Sequence, residues 1–274
     1  MSAADTSGGV DRVVVALAAV TALALAARLV GLGARPFHWD EARVGYWSLR
    51  FLDTGSFEYR PVAGGPFLYV VERYVFSLVG ATDTTARSVV AVVGGLSPLV
   101  ALLFRTRLSD AETVALGGLL AVSPTLLYYG RFLRGDLPLA VFALVVVGCA
   151  VRVVDEPAER ARPYRYLGAA ALALAVASSA FVVATVICWV VAAALTVDQR
   201  RLAGTGEGAA ERIDALLGRL RGSTREAMGA LGVYLIVHLF FYAPRTNGSI
   251  RPTLGTVEAA FVGAARAFYG VRVV

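Results

Sequence analysis

The chain has 274 residues, 57% of them hydrophobic and 17% charged, with a mean hydropathy of +0.67. That composition lies outside the range of soluble globular domains and identifies an integral membrane protein. The net charge of +6 comes from arginine alone, since the sequence contains no lysine. The arginines are scattered among apolar runs rather than gathered on one basic face, which argues against a nucleic-acid partner.

The first apolar run, from Val13 to Leu32, is about 20 residues and long enough to cross a bilayer. It lacks a basic leader and is followed by further spans, so it reads as a membrane helix rather than a signal peptide. Membrane helices are expected at about 13–32, 86–104, 112–129, 137–153, 165–178, 180–196 and 227–243. The fold class is therefore all-α, a polytopic bundle of about seven helices. The run from Tyr166 to Leu195 is too long for one straight span. Either it turns at Ser178-Ser179 into a tight helical hairpin or it forms one tilted helix. Cys149 and Cys188 both fall inside apolar stretches, which favours small packing residues over a disulfide or a zinc site.

Residues 66–80 decide the topology. They are short for a span and carry Glu72 and Arg73 at their centre, so an amphipathic helix lying along the interface suits them better. Loops 105–111, 152–164 and 198–226 then share the side of the N-terminus. They carry Arg105, Arg107, Arg152, Arg160, Arg162, Arg200, Arg201, Arg212, Arg219, Arg221 and Arg225. The positive-inside rule places that side in the cytoplasm. Residues 33–85 become an external loop of short helices, one beginning near Arg43 and one opening at Pro66, whose missing N–H costs nothing there. The polar stretch 198–226 reads as a cytoplasmic amphipathic helix. Residues 1–243 form the membrane module, and 244–274 an external segment that looks truncated.

Two polar clusters fall on the external side. The first lies in Arg35-Pro36-Phe37-His38-Trp39-Asp40-Glu41-Ala42 and the second in Arg131-Phe132-Leu133-Arg134-Gly135-Asp136. Charges this close to hydrocarbon are costly and mark function by default. Asp40 has a structural alternative as a helix cap, with Glu41 favoured in the first turn by the helix dipole. A carboxylate there also suits a general base or a divalent-cation ligand. Trp39 is either an interfacial anchor or a platform for a sugar ring. Arg131 and Arg134 either snorkel to headgroups or clamp a phosphate, and the neighbouring Asp136 favours the clamp. Of the remaining polar residues, His238 reads as a hydrogen-bonded packing residue and Glu72-Arg73 as an interfacial ion pair. Asn247-Gly248-Ser249 fits the glycosylation acceptor pattern in a loop expected outside.

At these residues the chain resembles the C-type superfamily of membrane glycosyltransferases, which includes the protein O-mannosyltransferases. The resemblance runs from about residue 10 to 200. It rests on the acidic pair after the first helix, on Gly65-Pro66-Phe67-Leu68-Tyr69, on Thr85-Ala86-Arg87 and on residues 131–136. The pattern is most similar to an archaeal flippase-activity-associated branch. It implies a hexosyltransferase of inverting type that uses a polyprenyl (dolichyl) phosphate sugar and a glycosylation acceptor at the external face of the plasma membrane. Asp40, Glu41 and Asp136 would be catalytic, and Arg131 and Arg134 would hold the lipid phosphate. His38 and Trp39 would contact substrate, with Asp40 and Asp136 as ligands to a divalent cation. The alternative reading is a non-catalytic membrane protein that assists flipping of the lipid-linked sugar. Relatives often carry a histidine where this chain has Gly64, and an asparagine where it has Gly135.

Overall fold

The computed structural model describes residues 11–61, 64–202, 214, 217–219, 222–250 and 253–269. Eleven α-helices account for most of them: α1 (Arg12–Leu29), α2 (Trp39–Thr54), α3 (Pro66–Val79), α4 (Asp83–Leu96), α5 (Asp110–Val122), α6 (Pro124–Tyr129), α7 (Asp136–Asp155), α8 (Ala158–Ser178), α9 (Val182–Leu202), α10 (Thr224–Tyr242) and α11 (Leu254–Tyr269). A two-stranded hairpin, β1 (Arg245–Thr246) and β2 (Ser249–Ile250), precedes α11. Among the described residues three stretches can cross a membrane by length and composition: Arg12–Leu29, Asp83–Phe104 and Asp136–Asp155. The all-α membrane architecture expected from composition is the one observed.

Local chemistry sets the boundaries. Capping boxes open α2 (His38 with Glu41), α4 (Thr82 with Thr85), α5 (Ser109 with Glu112) and α10 (Ser223 with Glu226), satisfying donors that a helix start leaves free. The expected span 112–129 is broken in two because the backbone turns extended at Ser123 and Pro124 has no N–H to continue the ladder. The apolar run after α4 continues as a 3₁₀ segment, Ser97–Phe104.

α1 packs against α4 and α5, while α8 lies between α7 and α10. The main core brings together Phe51, Phe67, Tyr69, Val90, Leu133, Leu137 and Tyr242 from five helices and the turn before α7. The expected hairpin at Ser178-Ser179 forms only in part. The chain does turn there and α9 begins at Val182, which packs against Leu139 and Ala175. Beyond that residue Val183, Val186, Ile187, Val190, Val191 and Leu195 are exposed. The described part of α9 does not pack back along α8, whose neighbours are α7 and α10. Cys149 is buried, as a packing residue should be, but Cys188 on α9 is exposed. The helix expected within 198–226 falls largely outside the described residues.

The bundle has two chemically distinct ends. At one, Arg105 joins Asp11 and Asp110, Arg107 joins Asp155, and Arg165 joins Glu226. These pairs tie the start of α1, the loop after the 3₁₀ segment, the α7–α8 turn and the start of α10. The other end holds the close of α1, the starts of α4 and α7 and the close of α8. Residues 33–82 leave and return at this second end, because Arg87 in the second turn of α4 bonds the carbonyls of Leu32, Arg35 and Pro36. The Gly65 N–H donates to Ser178 at the close of α8 and the Gly80 carbonyl accepts from Thr85 at the start of α4, so both ends of α3 lie at this end.

Candidate functional site

The second end is organised around Glu41. Its side chain is fully buried and accepts three hydrogen bonds on each oxygen. Oε1 takes them from Arg35 Nη2 (3.2 Å), Arg87 Nε (2.8 Å) and the Leu133 N–H (2.9 Å). Oε2 takes them from Arg35 Nη1 (3.0 Å), Arg87 Nη2 (3.1 Å) and the His38 N–H (2.9 Å). Burial by itself would raise this carboxyl's pKa, but the Arg87 and backbone hydrogen bonds outweigh it and hold the group at about 2. Arg87 is equally buried, and its guanidinium lies 4.6 Å from the centre of the Phe37 ring. Arg35 also donates to the Arg131 carbonyl at 2.8 Å and stacks over Phe132 at 3.6 Å. One carboxylate thus pins three separated pieces of chain: the 32–38 turn, the start of α4 and the 131–133 turn.

One residue earlier, Asp40 faces the other way. Its Oδ2 lies 3.3 Å from Arg134 Nη1, while Arg134 Nη2 and Nε reach Asp136 Oδ2 at 3.0 and 3.1 Å. Arg134 is 34% exposed and each aspartate 39%. The two acids expected to share a chamber therefore converge on one arginine, at the edge of the Glu41 knot and open to solvent. Asp136 is also the first residue of α7, where the helix dipole favours a negative charge.

Several expected residues are already engaged within the protein. Both Glu41 oxygens are taken up by the Arg35, Arg87, His38 and Leu133 donors, which ties these neighbours together. Arg131 caps α1: Nη1 donates to the carbonyls of Ala27 (2.9 Å), Arg28 (3.1 Å) and Val30 (2.8 Å), and Nη2 to that of Gly31 (2.9 Å). Those donors are no longer free for a phosphate. His38 is the N-cap of α2, its Nδ1 accepting the Asp40 N–H at 3.4 Å. Trp39 is 73% exposed beside it. The Asp40–Asp136 pair does not fit a divalent cation, because a guanidinium already stands between the two carboxylates. Among the described residues no three His, Cys, Asp or Glu side chains group as ligands.

Glu72 and Arg73 do not pair. Glu72 is fully buried with neither oxygen hydrogen-bonded, and burial pushes its pKa up to about 9. Arg73 instead lies over Phe51 at 4.8 Å. His238 packs among Tyr234, Tyr242 and Phe261, but neither ring nitrogen has a hydrogen-bond partner. Asn247 and Gly248 form the turn of the β1–β2 hairpin, both at positive φ.

Arg35 and Arg87 are the participants that sequence reasoning missed. Arg87 carried a signal, since a cation one turn into an apolar span needs a partner. The distance to that partner, 46 residues along the chain, hid it.

No protein-family model matches the chain, and no curated protein matches it. Among solved structures it is similar to the S. cerevisiae protein O-mannosyltransferase Pmt1-Pmt2 complex bound to the sugar donor, with a TM-score of 0.60 and 16% identity. The match covers 87% of this chain and 35% of that one, so the chain spans about a third of the length of the neighbour. At that identity the likeness is one of fold: a helical membrane architecture shared with a protein O-mannosyltransferase.

Proposed function

We propose that this protein is a membrane glycosyltransferase of the C-type fold that takes a sugar from a polyprenyl (dolichyl) phosphate and passes it to an acceptor hydroxyl at the Asp40 end of the bundle. The observation that carries this reading is the convergence of Asp40 and Asp136 on Arg134, a solvent-open acid–base group set beside a rigid buried knot. The fold shared with the yeast O-mannosyltransferase supports it.

Arg134 is the phosphate ligand in this reading. An arriving lipid phosphate competes for its fork, replacing the 3.3 Å contact to Asp40. Asp40, released, is the general base for the acceptor. The acceptor oxygen attacks the anomeric carbon and gives its proton to Asp40. The bond from that carbon to the phosphate oxygen breaks, and the lipid phosphate leaves with the electron pair. Arg134 stabilises the charge gained, and Asp136 keeps Arg134 aligned. Direct displacement leaves no sugar on the enzyme, so the product is inverted. Glu41 acts through Arg35, Arg87 and the Leu133 N–H as a positioning residue. The arginine bias of the opposite end supports a non-cytoplasmic face for the site, and a plasma-membrane location belongs to the same reading. A place beside lipid-sugar flipping, as in the archaeal branch, belongs to the same reading.

Transfer from a labelled dolichyl-phosphate sugar by membranes containing the chain tests it. Asp40→Asn should abolish transfer while Arg134→Gln weakens donor binding. Undiminished transfer by Asp40→Asn removes the base assignment. Donor binding by the native chain with no transfer to any acceptor favours the non-catalytic flipping reading.

A further inference from the structure

The last turn of α8 sits in a seat made by two glycines. A Cβ on Gly135 would stand 2.0 Å from the Ser178 carbonyl oxygen and 3.0 Å from its carbon. A Cβ on Gly65 would stand 2.0 Å from the Ala177 oxygen and 2.8 Å from the Ser178 carbon. The Gly65 N–H donates to the Ser178 oxygen at 3.0 Å. Every atom met is backbone, which cannot rotate aside as a side-chain tip can. Neither glycine is there for its dihedral freedom. Gly135 has φ −74° and ψ −10°, and Gly65 has φ −84° and ψ 171°, conformations open to any residue. Only the missing Cβ explains them, and Ala177 and Ser178 are buried in the seat they leave.

The seat adjoins the candidate site on both flanks. Arg134 precedes Gly135 and Asp136 follows it, and these are the two residues whose mutual contact presents the group to Asp40. Widening a 2.0 Å contact to the 3.0 Å that real Cβ atoms keep requires the α7 start and the α8 end to separate by about an ångström. A displacement of that size at reacting groups lowers turnover by about 10²-fold.

We propose that the last turn of α8 is a positioning element of the Asp40–Arg134–Asp136 group, its Ser178 carbonyl seated between Gly65 and Gly135 and fixing Asp136 against Arg134 and Asp40. The effect on turnover rests on the transferase reading above; the effect on geometry does not. Gly135 makes the seat and has no side chain to offer a substrate. An asparagine at this position would not fit here without moving α8.

A cross-linking test separates positioning from plain stability. With Cys149 and Cys188 replaced by alanine, Asp40→Cys and Asp136→Cys are introduced together and bridged in membranes by a short bifunctional thiosulfonate reagent. Adding Gly135→Ala should reduce the cross-linked fraction several-fold. In the otherwise native chain it should lower kcat about 10²-fold with a smaller change in KM. Gly148→Ala is the control, since its Cβ would meet Leu103 2.6 Å away, within the bundle and away from the site. It should lower the melting temperature yet keep native cross-linking and turnover per folded molecule. If Gly135→Ala does not fold, Ser178→Gly, which adds no clash and only loosens the turn, should lower cross-linking in the same direction. Native cross-linking in the folded variants, or equal losses from Gly148→Ala, overturns the proposal. Loss of cross-linking by Gly135→Ala in a chain whose native form transfers no sugar would sink the transferase reading and leave the positioning role standing.

Discussion

Asp40 and Glu41 are neighbours of the same chemistry with opposite fates. Glu41 is sealed, with six hydrogen bonds from two guanidiniums and two backbone N–H groups. Asp40 is two-fifths exposed and shares a single arginine with Asp136. Adjacent helical positions point about 100° apart, so one side chain turns into the bundle and the other out toward solvent. A charge that is fully compensated holds structure, and a charge left partly compensated remains able to exchange partners. The first is a poor acid or base and a good anchor; the second is the reverse.

The sharpest way to break this contrast is to unpair the anchor. Arg87→Met leaves Glu41 buried with two of its six hydrogen bonds gone and should cost about 3–5 kcal/mol, measured by thermal unfolding in detergent. A shift near zero would show that the knot is not structural. Asp40→Asn should do the opposite, leaving stability within about 0.5 kcal/mol while transfer falls by about 10²–10⁴-fold.

Acid and alkali probe two carboxyls with shifts of opposite sign. Glu41 is held at about 2, below its ordinary 4.5, so its contribution to stability is present above pH 4.5 and is lost as pH falls toward 2. Glu72 is raised from 4.5 to about 9, so the native state keeps a proton that the unfolded chain gives up. Its contribution is complete below pH 4.5 and declines as pH rises toward 9. Glu72→Gln should therefore flatten the alkaline limb of the stability profile and leave the acid limb intact. An unchanged alkaline limb in that variant would mean that Glu72 is charged or paired in the folded protein. The smallest effect concerns Arg131. Removing its cap on α1 by Arg131→Gln should cost about 1 kcal/mol and leave donor affinity unchanged, whereas Arg134→Gln should weaken donor binding with little loss of stability.

Much of the fold was legible because apolar runs of membrane length have few alternatives. The turn at Ser178-Ser179 carried a local signal, whereas the break at Ser123-Pro124 was read through as one span because the apolar run continues across it. Asp40 and Asp136 were expected on one side from topology alone, and both reach Arg134. The roles within each cluster were not legible, since they depend on direction and not on type. Arg131 and Arg134 lie three residues apart in an irregular turn, where spacing gives no common face. One reaches back to α1 and the other forward to Asp40. Glu72 and Arg73 look like a pair in the sequence, but adjacent helical residues do not face each other. The seat of Ser178 was invisible, because a glycine with ordinary dihedrals betrays its purpose only once its neighbour is known.

The long-range wiring of Glu41 also constrains how the protein is made. Its partners lie 46 residues ahead at Arg87 and 92 ahead at Leu133. At ordinary elongation rates the last of them follows on the order of ten seconds after the carboxylate leaves the ribosome. Until Arg87 follows, residue 41 has only Arg35 and its own helix start for company. The end of the molecule that would meet substrate thus stays unfinished until the 131–133 turn has been synthesised, and a nascent chain arrested before that point would carry Asp40 but no settled place for it.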